Sequence, residues 1–271
     1  MARSAIMNVM VQTAMKAGRG LVRDFGEVQN LQVSVKGPGD FVSQADHRAE
    51  KTIHYELSKA RPDYGFVMEE SGAIEGADAQ HRFIVDPLDG TTNFLHGIPH
   101  FAVSIALESQ GLLRAAVIYN PVSDELFTAE RGDGAYLNDR RMRVAGRREM
   151  TDSLFGCGIP FLGRRNSNHG EFLLELRDVM ANSVGIRRNG AAALDLAYVA
   201  AGRLDGYWER AISPWDIAAG VLLVREAGGF VTDLNGGEKM FERNEVIAGN
   251  ERLHRQLLNT INGAHKTTKT A

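Results

Sequence analysis

Four strand-length apolar runs crowd together in the first half of this chain, and they constrain its fold more than any other feature. Phe101–Leu107 and Leu113–Tyr119 flank Gln110-Gly111, and Leu126–Ala129 and Gly134–Leu137 follow. Links this short suit hairpins, whereas parallel neighbours need a longer crossover. Around this core the pattern changes period. Ala5, Ile6, Val9, Met10, Thr13, Ala17 and Leu21 share one face of a helix. A short strand is expected around Leu31–Val35, then a turn at Gly37-Pro38-Gly39. Ser43 can cap a helix carrying Ala49, Ile53 and Leu57, which stops before Pro62. Gly65–Met68 and Phe83–Val85 read as short buried strands.

The second half interleaves its elements. Strands are expected at Leu154–Gly156, Val184–Arg187, Leu204–Trp208, Phe230–Thr232 and Val246–Ala248. Helices are expected over Phe172–Met180, Ala191–Ala201, from Asp216 to Ala227, and over Arg252–Ile261. Hairpins together with helical crossovers predict an α/β (α+β) fold with mixed sheets. The expected organisation is one unit over 1–271, with an N-terminal αβ half of about 1–150 and a C-terminal αβ half of about 151–262. The polar segment 263–271 is expected to be a disordered tail.

Bulk properties narrow the function classes. A chain of 271 residues that is 44% hydrophobic can bury a large core. Its net charge of −3 argues against a dedicated nucleic-acid binder. Cys157 is the sole cysteine, so no intrachain disulfide forms, which fits a reducing cytoplasm. No apolar run reaches the ~18 residues of a membrane span. The stretch between Arg3 and Lys16 lacks a signal-peptide pattern.

The chemistry concentrates in Phe83-Ile84-Val85-Asp86-Pro87-Leu88-Asp89-Gly90-Thr91-Thr92-Asn93. An apolar strand delivers Asp86 at its end, and Pro87 biases that residue toward an extended backbone. Asp89 follows within the same turn, so two carboxylates can converge on one cation. Oxygen-only donors favour a hard ion such as Mg²⁺ over Zn²⁺. Gly90 allows close backbone approach, and the N–H groups of Thr91–Asn93 suit a phosphate. A plain Asp-Gly turn explains the same letters, and spacing leaves the two readings level. Glu69-Glu70 after the strand at Gly65–Met68 is either a solvated loop or a second acidic contribution to a cation site. Asp216 at a helix start is either a macrodipole partner or a further ligand.

In this order these pieces resemble the inositol monophosphatase family across nearly the whole chain. The signatures are Asp86-Pro87-Leu88-Asp89-Gly90-Thr91-Thr92-Asn93-Phe94 and Trp215-Asp216-Ile217-Ala218-Ala219-Gly220, with Glu69-Glu70-Ser71 and Ser43-Gln44-Ala45-Asp46 at the two other catalytic positions. Within the family the chain is most similar to the bacterial branch called SuhB. The resemblance implies a layered αβαβα sandwich, a cytoplasmic homodimer, two or three Mg²⁺ ions and sensitivity to lithium. It implies that Glu69, Asp86, the Leu88 carbonyl, Asp89 and Asp216 ligate metal, with Asp86 bridging two ions. Thr91, held by Asp46, would orient the attacking water, so Glu69, Thr91 and Asp46 carry catalysis. Asp89, Gly90, Thr91, Gly190, Ala191, Ala192, Glu209 and Asp216 would contact the substrate, with Glu209 reading inositol hydroxyls. Many relatives carry Gly-Ser or Gly-Thr where this chain has Gly190-Ala191, which removes one hydroxyl donor to the substrate.

The implied activity is that of an inositol-1-monophosphatase, in which water displaces the phosphoryl group. Two residues separate Asp86 from Asp89, unlike the Asp-x-Asp of phosphatases that form an aspartyl-phosphate. Histidinol phosphate, fructose 1,6-bisphosphate and phosphoadenosine phosphate are the neighbouring substrates in the fold family. A SuhB-like contact with the transcription machinery is the alternative from another class. Arg140, Arg141, Arg143, Arg147 and Arg148 form a basic run that could serve it or could simply be a solvated face. Cys157 reads as a small buried residue, His96 and His100 as packing or hydrogen-bonding groups, and Gly132-Asp133-Gly134 as a hairpin turn.

Overall fold

The structure, a computed structural model, describes residues 3–27, 33–37, 40–160 and 169–267. Helix α1 (Ala5–Phe25) starts where the Ser4 side chain accepts from the Met7 amide. Strands β1 (Val33–Gly37) and β2 (Asp40–Ser43) pair antiparallel, and α2 (Gln44–Ala60) follows. Next come β3 (Tyr64–Met68), β4 (Gly72–Ile74), β5 (Asp78–Asp89) and the short α3 (Thr91–Leu95). The meander is β6 (Ala102–Ser109), β7 (Leu112–Asn120), β8 (Glu125–Glu130), β9 (Gly134–Leu137) and β10 (Arg140–Arg141). After a 3-10 turn at Met150–Asp152 come β11 (Leu154–Cys157), α4 (His169–Ala181), β12 (Gly185–Arg187), α5 (Ala192–Ala200) and β13 (Gly206–Arg210). The order closes with α6 (Pro214–Glu226), β14 (Phe230–Thr232), α7 (Met240–Arg243), β15 (Glu245–Gly249) and α8 (Glu251–Thr267).

Two mixed sheets result. An eight-stranded sheet runs β10-β9-β8-β7-β6-β5-β3-β4, antiparallel except where β3 lies parallel to β5. A five-stranded sheet runs β12-β11-β13-β15-β14, with β11 parallel to both its neighbours. The four hairpin-linked runs therefore pair as their short connections demand.

Period-two alternation decides which layer each strand residue joins. Phe83 and Val85 pack with Met10, Ala14 and Leu21 of α1 and Ile53 and Leu57 of α2, while Ile84 faces the other way. That other face packs on α5 and α6, through Leu194, Ala197, Ala218 and Leu222. Tyr207, Val246 and Ala248 of the smaller sheet close the same apolar layer. Their neighbours Trp208 and Ile247 point outward, onto Val179 of α4 and Leu253 and Leu257 of α8. Three apolar layers thus alternate with helices and sheets as αβαβα.

Several boundaries depart from the expectations. The strand expected at Leu204–Trp208 starts later, at Gly206. The amides of Arg203 and Leu204 instead donate to the Tyr198 carbonyl and close α5, at 2.9 and 3.2 Å. Helix α8 runs on to Thr267, into the segment expected to be disordered, because Leu253, Leu257, Ile261 and Ala264 continue one buried face. Residues 268–271, like Leu31 and the Pro38-Gly39 turn, lie outside the described residues. Among the described residues no helix is long and apolar enough to cross a membrane.

Candidate active site

The site begins with a strand irregularity. Along β5 the chain advances three residues from Asp86 to Asp89, while its partner β6 advances two, from Ser104 to Ala102. That extra residue is a β-bulge, and it occurs at Pro87, which has no N–H to give the ladder. In a regular strand residues three apart face opposite sides. The bulge absorbs one step and turns Asp86 and Asp89 to a common side. The Leu88 amide, released from pairing, donates to Asp86 Oδ1 at 2.9 Å. On the other flank β3 ends level with the bulge. The Glu69 amide donates to the Val85 carbonyl at 3.2 Å, so Glu69 leaves its strand beside Asp86.

Gly90 then reverses the chain with φ of 93° and starts α3. A side chain there would be strained by that φ, and its Cβ would lie 3.0 Å from the His100 carbonyl. The Thr91 hydroxyl donates to the Leu88 carbonyl at 3.0 Å. Asp216 reaches the same region from the first turn of α6, where its Oδ2 accepts from the Ser213 amide at 2.8 Å. Asp46 is buried in the first turn of α2. Its neighbours Ala45 and Ala49 belong to the apolar cluster that contains Leu88 and Phe94.

Electrostatics bind these residues into one group. Asp86 is 1% exposed, and burial drives its pKa well above the carboxylate range. The charges of Glu69, Asp89 and Asp216 raise it further, and so does a hydrogen bond with the Glu69 carboxyl. Asp89, 7% exposed, is raised by burial first and then by Asp216, against the opposing pull of the Ala193 amide; Asp195 and Glu209 add to the rise. Buried carboxylates that destabilise one another's charge favour a cation between them. Their donors are all oxygen, which fits a hard divalent ion. Among the described residues no three His, Cys, Asp or Glu side chains are placed so that they could hold a metal ion together as they stand, so an ion would have to draw these carboxylates closer. An open arrangement suits Mg²⁺, which keeps several waters and binds through few carboxylates together with substrate phosphate.

The opposite wall is the start of α5. Asp89 accepts from the Ala192 amide at 3.2 Å and from the Ala193 amide at 2.8 Å. Gly190, with φ of 85°, and Ala191 lead into that helix. Glu209 lies at the end of β13, where it accepts a hydrogen bond from the Tyr207 hydroxyl. Its carboxylate occupies space that only a glycine leaves open. A Cβ at Gly158 would sit 1.8 Å from Glu209 Cδ. Metal, phosphate and polyol candidates from distant parts of the sequence thus meet around Asp89.

Sequence reasoning missed several supports. Glu50 is buried one helical turn after Asp46 and accepts from the Glu70 amide at 2.8 Å and from the Ser71 hydroxyl, fixing the turn that presents Glu69. Its spacing from Asp46 was the available signal, since i and i+4 share a helix face. Asn93, Asp195 and Tyr207 likewise act through contacts that no local pattern announces. Burial and the Asn189 amide act oppositely on Asp195, and burial prevails, lifting its pKa to about 7. Other candidates resolve as packing. The Cys157 thiol is buried and pushed up to about 12, which makes it inert. His96 is exposed at the end of α3, and His100 packs edge-on to Tyr198. Gly132-Asp133-Gly134 is the turn between β8 and β9. The arginines at 140, 141, 143, 147 and 148 are exposed, with Arg147 bonded to buried Asp205 at 3.1 Å.

Comparison with known proteins agrees with this geometry. The sequence profile described as the Inositol monophosphatase family matches residues 2–266. The Inositol-1-monophosphatase of Mesorhizobium japonicum is 69% identical over 261 residues, covering 96% of this chain and 97% of that protein. The Nus factor SuhB of Pseudomonas aeruginosa is 46% identical over 258 residues, covering 94% and 95%. The crystal structure of extragenic suppressor protein suhB from Bartonella henselae matches with a TM-score of 0.93 at 66% identity, covering 95% and 98%. In sequence and in fold alike, the chain belongs to the inositol monophosphatase family, a family of metal-dependent phosphatases.

Proposed function

We propose that the chain hydrolyses inositol monophosphate to inositol and inorganic phosphate with Mg²⁺ as cofactor, two or three ions being engaged. Glu69, Asp86, Asp89, Asp216 and the Leu88 carbonyl are the donors that would hold them. When bound, the ions supply charge neutralisation for the phosphate dianion and a lowered pKa for the attacking water. The Thr91 hydroxyl spends its proton on the Leu88 carbonyl, so its oxygen is an acceptor that can orient that water. To be held by Asp46, as the resemblance implies, the Thr91 hydroxyl would turn its one proton from the Leu88 carbonyl to the Asp46 carboxylate. The water oxygen forms the new P–O bond, the ester P–O bond breaks, and the alcohol leaves with a proton. Gly90 and Thr91 border the phosphoryl group, and Gly190, Ala191 and Ala192 border the alcohol. Glu209, held by Tyr207, accepts hydrogen bonds from polyol hydroxyls.

The observation that carries this reading is the buried carboxylate group at the β5 bulge, where the strongest charges acting on Asp86 are other carboxylates. The test is phosphate release from inositol monophosphate, histidinol phosphate, fructose 1,6-bisphosphate and phosphoadenosine phosphate, with Mg²⁺ and after chelation. Inositol monophosphate should give the highest kcat/KM, and chelation should abolish turnover. Full activity in metal-stripped protein would overturn the proposal. The same reading includes a cytoplasmic homodimer inhibited by lithium, which a lithium titration of turnover and sedimentation of the purified protein would check.

A second reading is a contact with the transcription machinery. It is favoured by the relative named Nus factor SuhB and by the exposed arginines from 140 to 148. An Asp86→Asn variant separates the two. Binding that survives the loss of phosphatase activity belongs to a surface distinct from the carboxylate site.

A further inference from the structure

Two short segments lie directly against each other and run in opposite order. At one end Asp89 accepts from the amides of Ala192 and Ala193. In the middle Gly90 and Ala191 touch, since a Cβ on Gly90 would lie 3.2 Å from the Ala191 Cβ. At the other end stands Asn93, 5% exposed. Its Nδ2 donates to the His100 carbonyl and to the Asn189 carbonyl, each at 2.8 Å. Both partners are acceptors, which sets the orientation of the amide. Asn189 is itself held from behind. Its Nδ2 donates to Asp195 Oδ1 at 2.6 Å, and Asp195 is 1% exposed in the first turn of α5.

Asn93 is thus a clasp between the segment that carries Asp89 and the segment that carries Gly190, Ala191 and Ala192. Asp195 is the anchor of that clasp. On the phosphatase reading, on which this inference rests, the first segment belongs to the phosphoryl group and the second to the alcohol. We propose that Asn93 and Asp195 are positioning residues that set the spacing between these segments, so that they govern turnover of polyol esters rather than uptake of metal. A misplacement of about 1 Å between reacting groups costs on the order of 10²-fold in rate. An aryl phosphate departs easily without contacts on its alcohol side, so its turnover depends less on that spacing.

The experiment compares kcat/KM for inositol monophosphate and p-nitrophenyl phosphate in the full-length parent, Asn93→Asp, Asp195→Ala and Asp195→Asn. Asn93→Asp keeps the shape but sets an acceptor against two carbonyls. Asp195→Ala removes the anchor, whereas Asp195→Asn keeps an oxygen for Asn189. Asn93→Asp and Asp195→Ala should lose about tenfold or more on the inositol ester beyond their loss on the aryl ester. Their half-saturating Mg²⁺ should stay within about twofold of the parent, and Asp195→Asn should restore the parent's preference. Equal losses on both esters, or a shift in Mg²⁺ dependence that accounts for the loss, would overturn the positioning role. Should Asn93→Asp fail to fold, the Asp195 pair decides alone. A parent inactive on both esters in Mg²⁺ overturns the phosphatase reading itself, and an active parent with unaltered variants overturns only the clasp.

Discussion

Replacing Asp89 with asparagine separates a metal-holding role from a turn role, because the structure sets two opposed terms at this residue. The carboxylate accepts from two amides, Ala192 at 3.2 Å and Ala193 at 2.8 Å. Asparagine can accept only one of them and presents its NH₂ to the other. Losing a hydrogen bond to a charged acceptor costs about 1.5–3 kcal/mol. Against this, the substitution removes a charge repelled by Asp216, Asp195 and Glu209. Carboxylates in contact at an effective dielectric of about 20 repel by roughly 3–4 kcal/mol, and protonation of the parent limits how much of that is felt. The chelated variant should therefore lie within about 1–2 kcal/mol of the parent near neutral pH.

The pH dependence has a definite sign. The raised pKa of Asp89 means the native state holds its proton where the unfolded state has released it. Stability of the chelated parent then falls as pH rises above the unfolded value of about 4 and toward the raised folded value, and the Asp89→Asn variant should fall less steeply. Activity should respond far more. A lost ligand charge should lower kcat/KM by about 10²-fold or more, equivalent to roughly 2.7 kcal/mol. Added Mg²⁺ should also raise the midpoint of the parent more than that of the variant. The assays are kcat/KM at saturating Mg²⁺ and urea midpoints at pH 5 and pH 8, with and without chelator. Near-normal kcat/KM in a variant that unfolds early would refute the ligand role and leave Asp89 as a turn residue.

Three further substitutions probe the surrounding supports. Glu50→Gln should raise half-saturating Mg²⁺ by about tenfold, since it loosens the turn that presents Glu69; an unchanged Mg²⁺ titration would show that Glu50 only stabilises α2. Gly158→Ala should push Glu209 aside and destabilise the protein by about 1–3 kcal/mol. The polyol ester should suffer more than the aryl ester, and a crystal structure with Glu209 unmoved would contradict the reasoning. Glu209→Gln keeps an acceptor for Tyr207 and should weaken inositol monophosphate turnover more than that of p-nitrophenyl phosphate; parallel losses would show that Glu209 does not read hydroxyls.

Much of the acidic loop was legible because a strand, a proline and two aspartates are all local features. The bulge at Pro87 was not, since a bulge is defined by the partner strand, here Ser104 and Ala102 of β6. The start of α2 at Gln44 matches the expectation drawn from Ser43. The late start of β13 does not, because Leu204 is apolar enough to read as strand yet its amide is taken by Tyr198. Glu50, Asn93 and Asp195 remained hidden for a related reason. Each is polar and buried, and its partner lies outside its own helix, so only the folded chain reveals what it bonds.

The dispersed origin of the pocket has a consequence for synthesis. Asp46 comes off the ribosome early, and Asp216 near the end. Until α5 and α6 emerge, Ile84, Ala106, Ile118 and Phe127 lack the helices that cover them in the finished molecule. A nascent chain stalled before Pro214 would hold Glu69, Asp86 and Asp89 beside an uncovered greasy face. Such a chain should engage chaperones and hydrophobic dyes while releasing no phosphate. Premature termination would yield a client for protein quality control instead of a weaker enzyme.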